Sequence, residues 1–155
     1  MAKQVDARAA QAVLFGVYKA LHGIAGQSSA AIMRRAAPDI LDALELFGVS
    51  LGKVDSLEKL EETLSQTMVA SGCCEAMEFT MDGNKLRANI TNCTFFDLTQ
   101  ELQKRDIPPF GCPFAALTIA IAERSLNKRG RVTRLEPTPG GNPGDTVLEV
   151  ELHDK

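Results

Sequence analysis

The four cysteines are the residues of this chain with the most evident chemistry. None of them lies in the first 72 residues: they are Cys73, Cys74, Cys93 and Cys112. They form no C-x-x-C pair, and their separations match no common zinc or iron–sulfur motif. Three interpretations stay open: a zinc ion or iron–sulfur cluster held by three or four thiolates, a reversible disulfide, or thiols buried as small apolar side chains.

Cys112 differs from the other thiols because Pro113 follows it. Proline is favoured in the first turn of a helix, so Cys112 is expected at or next to a helix N-cap. The N–H groups of a helix start stabilise a thiolate, and we therefore predict a lowered pKa and the highest reactivity for Cys112. A thiol-dependent enzyme with Cys112 as nucleophile would also need a general base, and neither His22 nor His153 is well placed to be one.

The alternation of apolar and polar residues predicts a β-hairpin between the first three cysteines. Apolar residues alternate on both sides of an Asp-Gly-Asn turn at 82–84: Met77, Phe79 and Met81 before it, and Leu86, Ala88 and Ile90 after it. Antiparallel pairing then brings Cys73 and Cys74 near Cys93.

Apolar residues at spacings of three and four predict three helices before this hairpin. They cover about 6–24, the stretch from Ser28 or Ser29 toward Phe47, and the stretch from Asp55 to Gly72. The expected buried stripes of the first two helices are Leu14, Val17, Leu21 and Ile24, and Ile40, Leu41, Leu44 and Phe47.

Two more helices are predicted after the hairpin. A short one carries Phe95, Leu98 and Leu102, and a longer one starts at Cys112 and ends near Lys128, with Gly130 as its C-cap. A last strand pair is expected at about 131–136 and 146–152, on either side of a loop rich in proline and glycine.

Length and composition restrict the class of protein. With 155 residues, 45% hydrophobic and 24% charged, the chain has the composition of one globular domain. A net charge of −3 argues against a basic face that binds nucleic acid. No run approaches the about 18 apolar residues that span a bilayer, and the N-terminus lacks the apolar core of a signal peptide. We therefore expect a cytoplasmic protein that acts on neither DNA nor membranes.

The second half carries short motifs in a recognisable order. They are C-C-E-A-M-E-F and L-R-A-N-I-T-N-C-T-F in the hairpin, G-C-P-F-A-A-L at the helix start, and R-L-E-P followed by G-D-T-V-L-E-V in the last strand pair. This order resembles the vinyl-4-reductase-type domain, a small-molecule-binding module of archaeal "hydrocarbon-binding" proteins and of sensors of aromatic compounds.

The resemblance implies two alternative roles for the cysteines. In the aromatic-sensing branch, zinc is held by a cysteine at the helix start, a glutamate in the next strand and two cysteines in the final hairpin. Cys112 and Glu136 match the first two positions, but the loop at 137–145 contains no cysteine. In the redox-responsive regulators of methanogens, the family's cysteines correspond to Cys93 and Cys112. This second pattern fits the chain better.

We therefore expect a single α+β domain over 1–155. Its N-terminal helices (6–70) pack on a four-stranded antiparallel sheet (71–152), with a long helix before the last hairpin. The expected function is binding of an apolar or aromatic small molecule, or redox or metal sensing through the cysteines, with output through a regulatory protein partner. The expected pocket is lined by Phe95, Leu98, Phe114, Leu117 and Ile121.

The first helix is expected to make the chain a homodimer, because its apolar surface exceeds what a small sheet can cover. The alternatives to a binding or sensing domain are a thiol-dependent enzyme or reductase that uses Cys112, and a purely structural oligomer subunit.

Overall fold

The computed structural model describes residues 6–108 and 112–155; the segment 109–111, which precedes Cys112, lies outside the described residues. Within them the helices and strands follow one another in the order expected for an α+β domain. The helices are α1 (Ala7–Ala25), α2 (Ser29–Leu46), α3 (Leu57–Ala70), α4 (Phe96–Gln103) and α5 (Pro113–Ser125), and the strands are β1 (Ala76–Asp82), β2 (Lys85–Thr91), β3 (Lys128–Pro137) and β4 (Thr146–Asp154).

The four strands form one antiparallel sheet in the order β1-β2-β4-β3. The β1–β2 hairpin has the register that its alternation predicted, with Met77 opposite Ile90 and Met81 opposite Leu86. Since the N-terminal helices and the sheet are both present, with α5 before the last strand pair, the predicted α+β architecture is confirmed.

The main core lies between one face of the sheet and the helices α2, α3 and α5. Leu60, Leu64 and Phe114 from the helices meet Leu86 and Leu148 from the strands, and all five are almost completely buried. A second, smaller cluster joins α1 to α4, and its buried members are Tyr18, Leu98, Leu102 and Ile107. The domain therefore has two apolar regions, and Phe95 packs against both of them.

The predicted buried stripe of α1 is wrong in part. Tyr18 is the buried residue of this helix, with Leu14 packed beside it, whereas Val17 is 54% exposed and Ile24 is 87% exposed. This helix has apolar residues on most of its circumference, so spacings of three and four residues occur on more than one of its faces. The spacing alone therefore did not identify the face that is buried. In α2 the predicted Phe47 is likewise 81% exposed, because the helix ends at Leu46.

The end of α5 also differs from the prediction. The helix stops at Ser125, and Asn127 adopts a positive φ of 52° there. Asparagine is one of the few non-glycine residues that tolerate this conformation. Gly130 is therefore free to lie inside β3, where a Cβ atom would come within 2.7 Å of Cγ1 of Ile119 on α5. The glycine permits close packing of helix on sheet and is not a helix cap.

No helix among the described residues is both long enough and apolar enough to cross a membrane.

Candidate thiol site

The stem of the β1–β2 hairpin, meaning residues 73–75 and 92–94, holds three of the four cysteines. Cys73 and Cys74 lie between α3 and β1, and Cys93 lies just after β2. The N–H of Thr94 donates to the carbonyl of Cys73 at 2.9 Å, so the chain ends remain paired beyond the strands. The hairpin thus brings these cysteines into one region, as its strand pattern indicated. All four cysteines are free thiols, and only Cys73 is not buried.

The loop between β3 and β4 holds the end of β2 in place. Asn92 has a positive φ of 50°, and its N–H donates to Oδ1 of Asp145 at 3.1 Å. The N–H of Cys93 donates to the carbonyl of Gly144 at 2.8 Å. A Cβ atom on Gly144 would lie 3.1 Å from Oδ1 of Asn92, and its φ of 98° also favours glycine.

The sequence predicts only a loop rich in proline and glycine here, and its positioning role is not part of that prediction. The available signal was the Asn-Pro-Gly-Asp run at 142–145, whose residue types are typical of a tight turn that an Asp side chain stabilises.

Cys112 is the N-cap residue of α5, as predicted. Burial raises the pKa of its thiol to about 11, although the N–H groups of Ala115 and Phe114 act in the opposite direction. The predicted lowering of this pKa is therefore wrong. The helix start does favour the thiolate, but Cys112 is only 4% exposed, and the cost of removing a charge from water is larger.

The pKa of Cys93 is raised to about 12, by burial first and next by the charge of the Cys112 thiolate. The N–H of Phe95 acts against this shift, and the thiolates of Cys74 and Cys73 add to it. Burial and the charge of Cys73 raise the pKa of Cys74 to about 11. All three buried thiols are thus held in the neutral form near pH 7, and each of the other cysteines acts electrostatically on Cys93.

Tyr18 of α1 belongs to the same region, although sequence reasoning did not include it. The pKa of its phenol is raised by burial and by the charge of Cys112. The signal that was available is its spacing: Tyr18 stands four residues after Leu14 and three before Leu21, on the face of α1 that packs against α4.

The described residues do not form a metal site. No group of three or more His, Cys, Asp or Glu side chains within 6–108 and 112–155 is arranged to hold a metal ion. Glu136, the predicted partner of Cys112, is half-buried and forms an ion pair with Arg134. Its neighbour Leu135 is the residue that enters the core, so Glu136 projects from the opposite face of the sheet. The thiols do not fit an iron or zinc centre as they are arranged.

The five predicted pocket residues lie around the junction of the two apolar clusters. Phe114, Leu117 and Ile121 belong to the main core, Leu98 belongs to the smaller cluster, and Phe95 packs against both. The rings of Phe95 and Phe114 meet edge to face, with their centroids 6.2 Å apart at an interplanar angle of 75°. Apart from Phe95, these residues expose at most 4% of their surface, so they are packed against neighbours.

A shallow groove of about 390 Å³ lies elsewhere, between the end of α2 and the end of α3. It includes Gly48, Gln66 and Ser71 among its lining residues. The hydroxyl of Ser71 also donates to the sulfur of Cys73 at 3.2 Å. The groove therefore adjoins the one cysteine that is not buried.

The fold and the site together define an α+β domain with a helical layer on a four-stranded sheet and free thiols at the hairpin stem. Residues 11–143 match the family described as "Putative rubredoxin C-terminal domain", and the chain belongs to this family. The match gives no support to the expected membership of the vinyl-4-reductase-type family, which relied on short motifs. No curated protein matches the sequence.

Among solved structures, the chain is similar to a trafficking protein particle complex subunit 3 from Naegleria fowleri, covalently bound to palmitic acid. The TM-score is 0.57 at 11% sequence identity, and the alignment covers 95% of this chain and 97% of that chain. At this identity the likeness establishes the shared fold only.

Proposed function

We propose that this chain is a thiol-based redox-sensing domain. The observation that carries the proposal is that Cys74, Cys93 and Cys112 are buried in one apolar cluster, with Cys73 packed against it. The hydrogen bond from the N–H of Thr94 to the carbonyl of Cys73 also holds three of these thiols on the two facing segments of the hairpin stem. The family description, which refers to a rubredoxin, supports a redox-related role as well.

The environment of the thiols favours a disulfide over a thiolate or a metal centre. Burial penalises the charged form of Cys74, Cys93 and Cys112, whereas a disulfide carries no charge and meets no such penalty. Two-electron oxidation by a peroxide would convert two thiols and one peroxide molecule into one disulfide and two molecules of water. The proposed domain thus has a reduced state with four thiols and an oxidised state with two.

The proposed output is a change in the binding of a protein partner. The end of β2, the loop at Gly144 and Asp145, and α4 all connect directly to the hairpin stem, so oxidation there would reach several surface elements. The net charge of −3 argues against direct contact with DNA.

Counting free thiols tests the proposal. The full chain is reduced, treated with hydrogen peroxide, unfolded in denaturant and titrated with a thiol reagent. We expect two of its four thiols to be lost and to be recovered with dithiothreitol, and we expect Cys93→Ala to suppress this reversible loss. Four thiols that stay titratable, or a loss that dithiothreitol does not reverse, would overturn the proposal.

Binding of an apolar ligand is a second candidate function. The edge-to-face pair of Phe95 and Phe114 joins the two apolar clusters, and an apolar ligand that entered here would have to separate these packed rings. The structural neighbour of the same fold carries palmitic acid. A rise in Tm with palmitic acid, absent with a short-chain acid of equal charge, would support this function, and no rise would exclude palmitate as a ligand.

A further inference from the structure

The stem of the β1–β2 hairpin places Cys74 and Cys93 on facing backbone segments. The paired strands end at Ala76 and Thr91, because Asn92 has a positive φ of 50° and interrupts the regular pattern. The two segments stay tied beyond this point: Nδ2 of Asn92 donates to Oε1 of Glu75 at 2.9 Å, and the N–H of Thr94 donates to the carbonyl of Cys73 at 2.9 Å. Cys74 and Cys93 lie between these two ties, one on each segment.

The backbone groups of Cys93 are bonded elsewhere: its N–H donates to the carbonyl of Gly144 at 2.8 Å, and its carbonyl accepts from the N–H of Phe96 at 3.1 Å. Facing residues of antiparallel segments have Cα atoms about 4.5–5.5 Å apart. A disulfide needs a Cα separation of about 4.4–6.8 Å. Both side chains are buried in the main core.

From this backbone geometry we propose that Cys74 and Cys93 are the pair that closes into a disulfide when the domain is oxidised. The inference rests on the proposed redox function and names the bond that performs it. Hydrogen peroxide transfers one oxygen to one sulfur, which gives a sulfenic acid and one molecule of water as the O–O bond breaks. The second sulfur then displaces the hydroxyl, which leaves as another water while the S–S bond forms. The two sulfurs lose two electrons, the peroxide gains them, and both thiol protons leave in the water.

Closing this bond affects the aromatic pair of the apolar junction. Phe95 comes two residues after Cys93, and its ring packs on Phe114 of α5. A bond from Cys93 to Cys74 fixes the chain from which Phe95 extends. The oxidised stem would therefore restrict the movement of Phe95 relative to Phe114.

Peptide mapping of the Cys73→Ala variant identifies the bond without ambiguity. Trypsin cuts the chain into three peptides that contain cysteine, at 60–85, 88–104 and 106–124. In Cys73→Ala the first peptide retains only Cys74, the second contains Cys93 and the third contains Cys112. The variant is oxidised with hydrogen peroxide, its remaining thiols are alkylated, and linked peptides are identified by mass. Cys112→Ala serves as the matched control.

We expect a link between 60–85 and 88–104 in the wild type and in both variants. A link between 88–104 and 106–124 in Cys73→Ala would assign the bond to Cys93 and Cys112 and overturn this inference, while the proposed redox function would stand. Absence of any intramolecular link in all three proteins would overturn both.

Discussion

Replacing Phe114 with alanine tests whether the aromatic junction is packed core. The side chain is completely buried, and its ring meets that of Phe95 edge to face. Truncating a buried phenylalanine to alanine costs about 3–5 kcal/mol, since apolar surface is lost and a cavity is left behind. The lost ring–ring contact accounts for about 0.5–1.5 kcal/mol of this amount. Against a typical total stability of about 5–15 kcal/mol, the variant should fold but be strongly destabilised.

Urea denaturation of the reduced protein, followed by circular dichroism, measures this change. The midpoint should fall while the slope of the unfolding free energy stays constant, because the surface exposed on unfolding is nearly the same. Phe47→Ala is the matched control: its ring is 81% exposed, and we expect a change within about 0.5 kcal/mol. A loss below about 1 kcal/mol for Phe114→Ala would refute the reasoning, because the ring would then border open space and not packed side chains.

Three further predictions concern the thiols and the oligomeric state. With iodoacetamide at neutral pH, Cys73 should be alkylated before the three buried cysteines, as read by peptide mass; earlier labelling of Cys112 would contradict the effect of burial. Burial raises the pKa values of Cys74, Cys93 and Cys112, so the folded state favours their neutral thiols. The free energy of unfolding should therefore be constant with respect to these groups below about pH 9. Toward pH 11–12 it should decline by about 1.4 kcal/mol per thiol and pH unit. In urea titrations, the free energy of unfolding should fall less between about pH 8 and about pH 10 for Cys93→Ala than for the wild type. Equal falls in the two proteins would contradict this prediction. The exposed apolar face of α1 should make the chain a homodimer by light scattering, and Val17→Glu should yield the monomer; a monomeric wild type would disprove this.

The sheet and the hairpin could be predicted from the sequence because their signals are local. Alternation around Gly83 defines both strands and the turn between them, and the turn confines the register to one choice. The proximity of Cys73 and Cys74 to Cys93 followed from that register alone. In these elements each residue's environment depends on neighbours that are close in the chain.

The properties of the site depended on distant neighbours and could not be predicted in the same way. The helix start at Cys112 is visible in the sequence, but its thiol is buried in a core that distant parts of the chain build. The electrostatic effect of Cys112 on Tyr18, a residue far earlier in the chain, likewise depends on the tertiary structure. Glu136 matched a family position by its place in the chain, yet strand alternation turns it to the opposite face of the sheet. The burial and the direction of a side chain depend on tertiary structure, and matching short motifs does not predict them.

The bonds made by the β3–β4 loop bear on how the chain can be re-engineered. A segment so rich in glycine and proline looks suited to an inserted tag or to new chain termini. However, its Gly144 and Asp145 bond to the backbone of Cys93 and Asn92, which are more than fifty residues away in sequence. The Gly83-Asn84 turn is similarly tied down, since the carbonyl of Asn84 accepts from the N–H of Leu152 at 2.8 Å. Circular permutants opened at either turn would lose hydrogen bonds between distant parts of the sheet. New termini at the exposed end of α2, near Phe47, would break none of these hydrogen bonds.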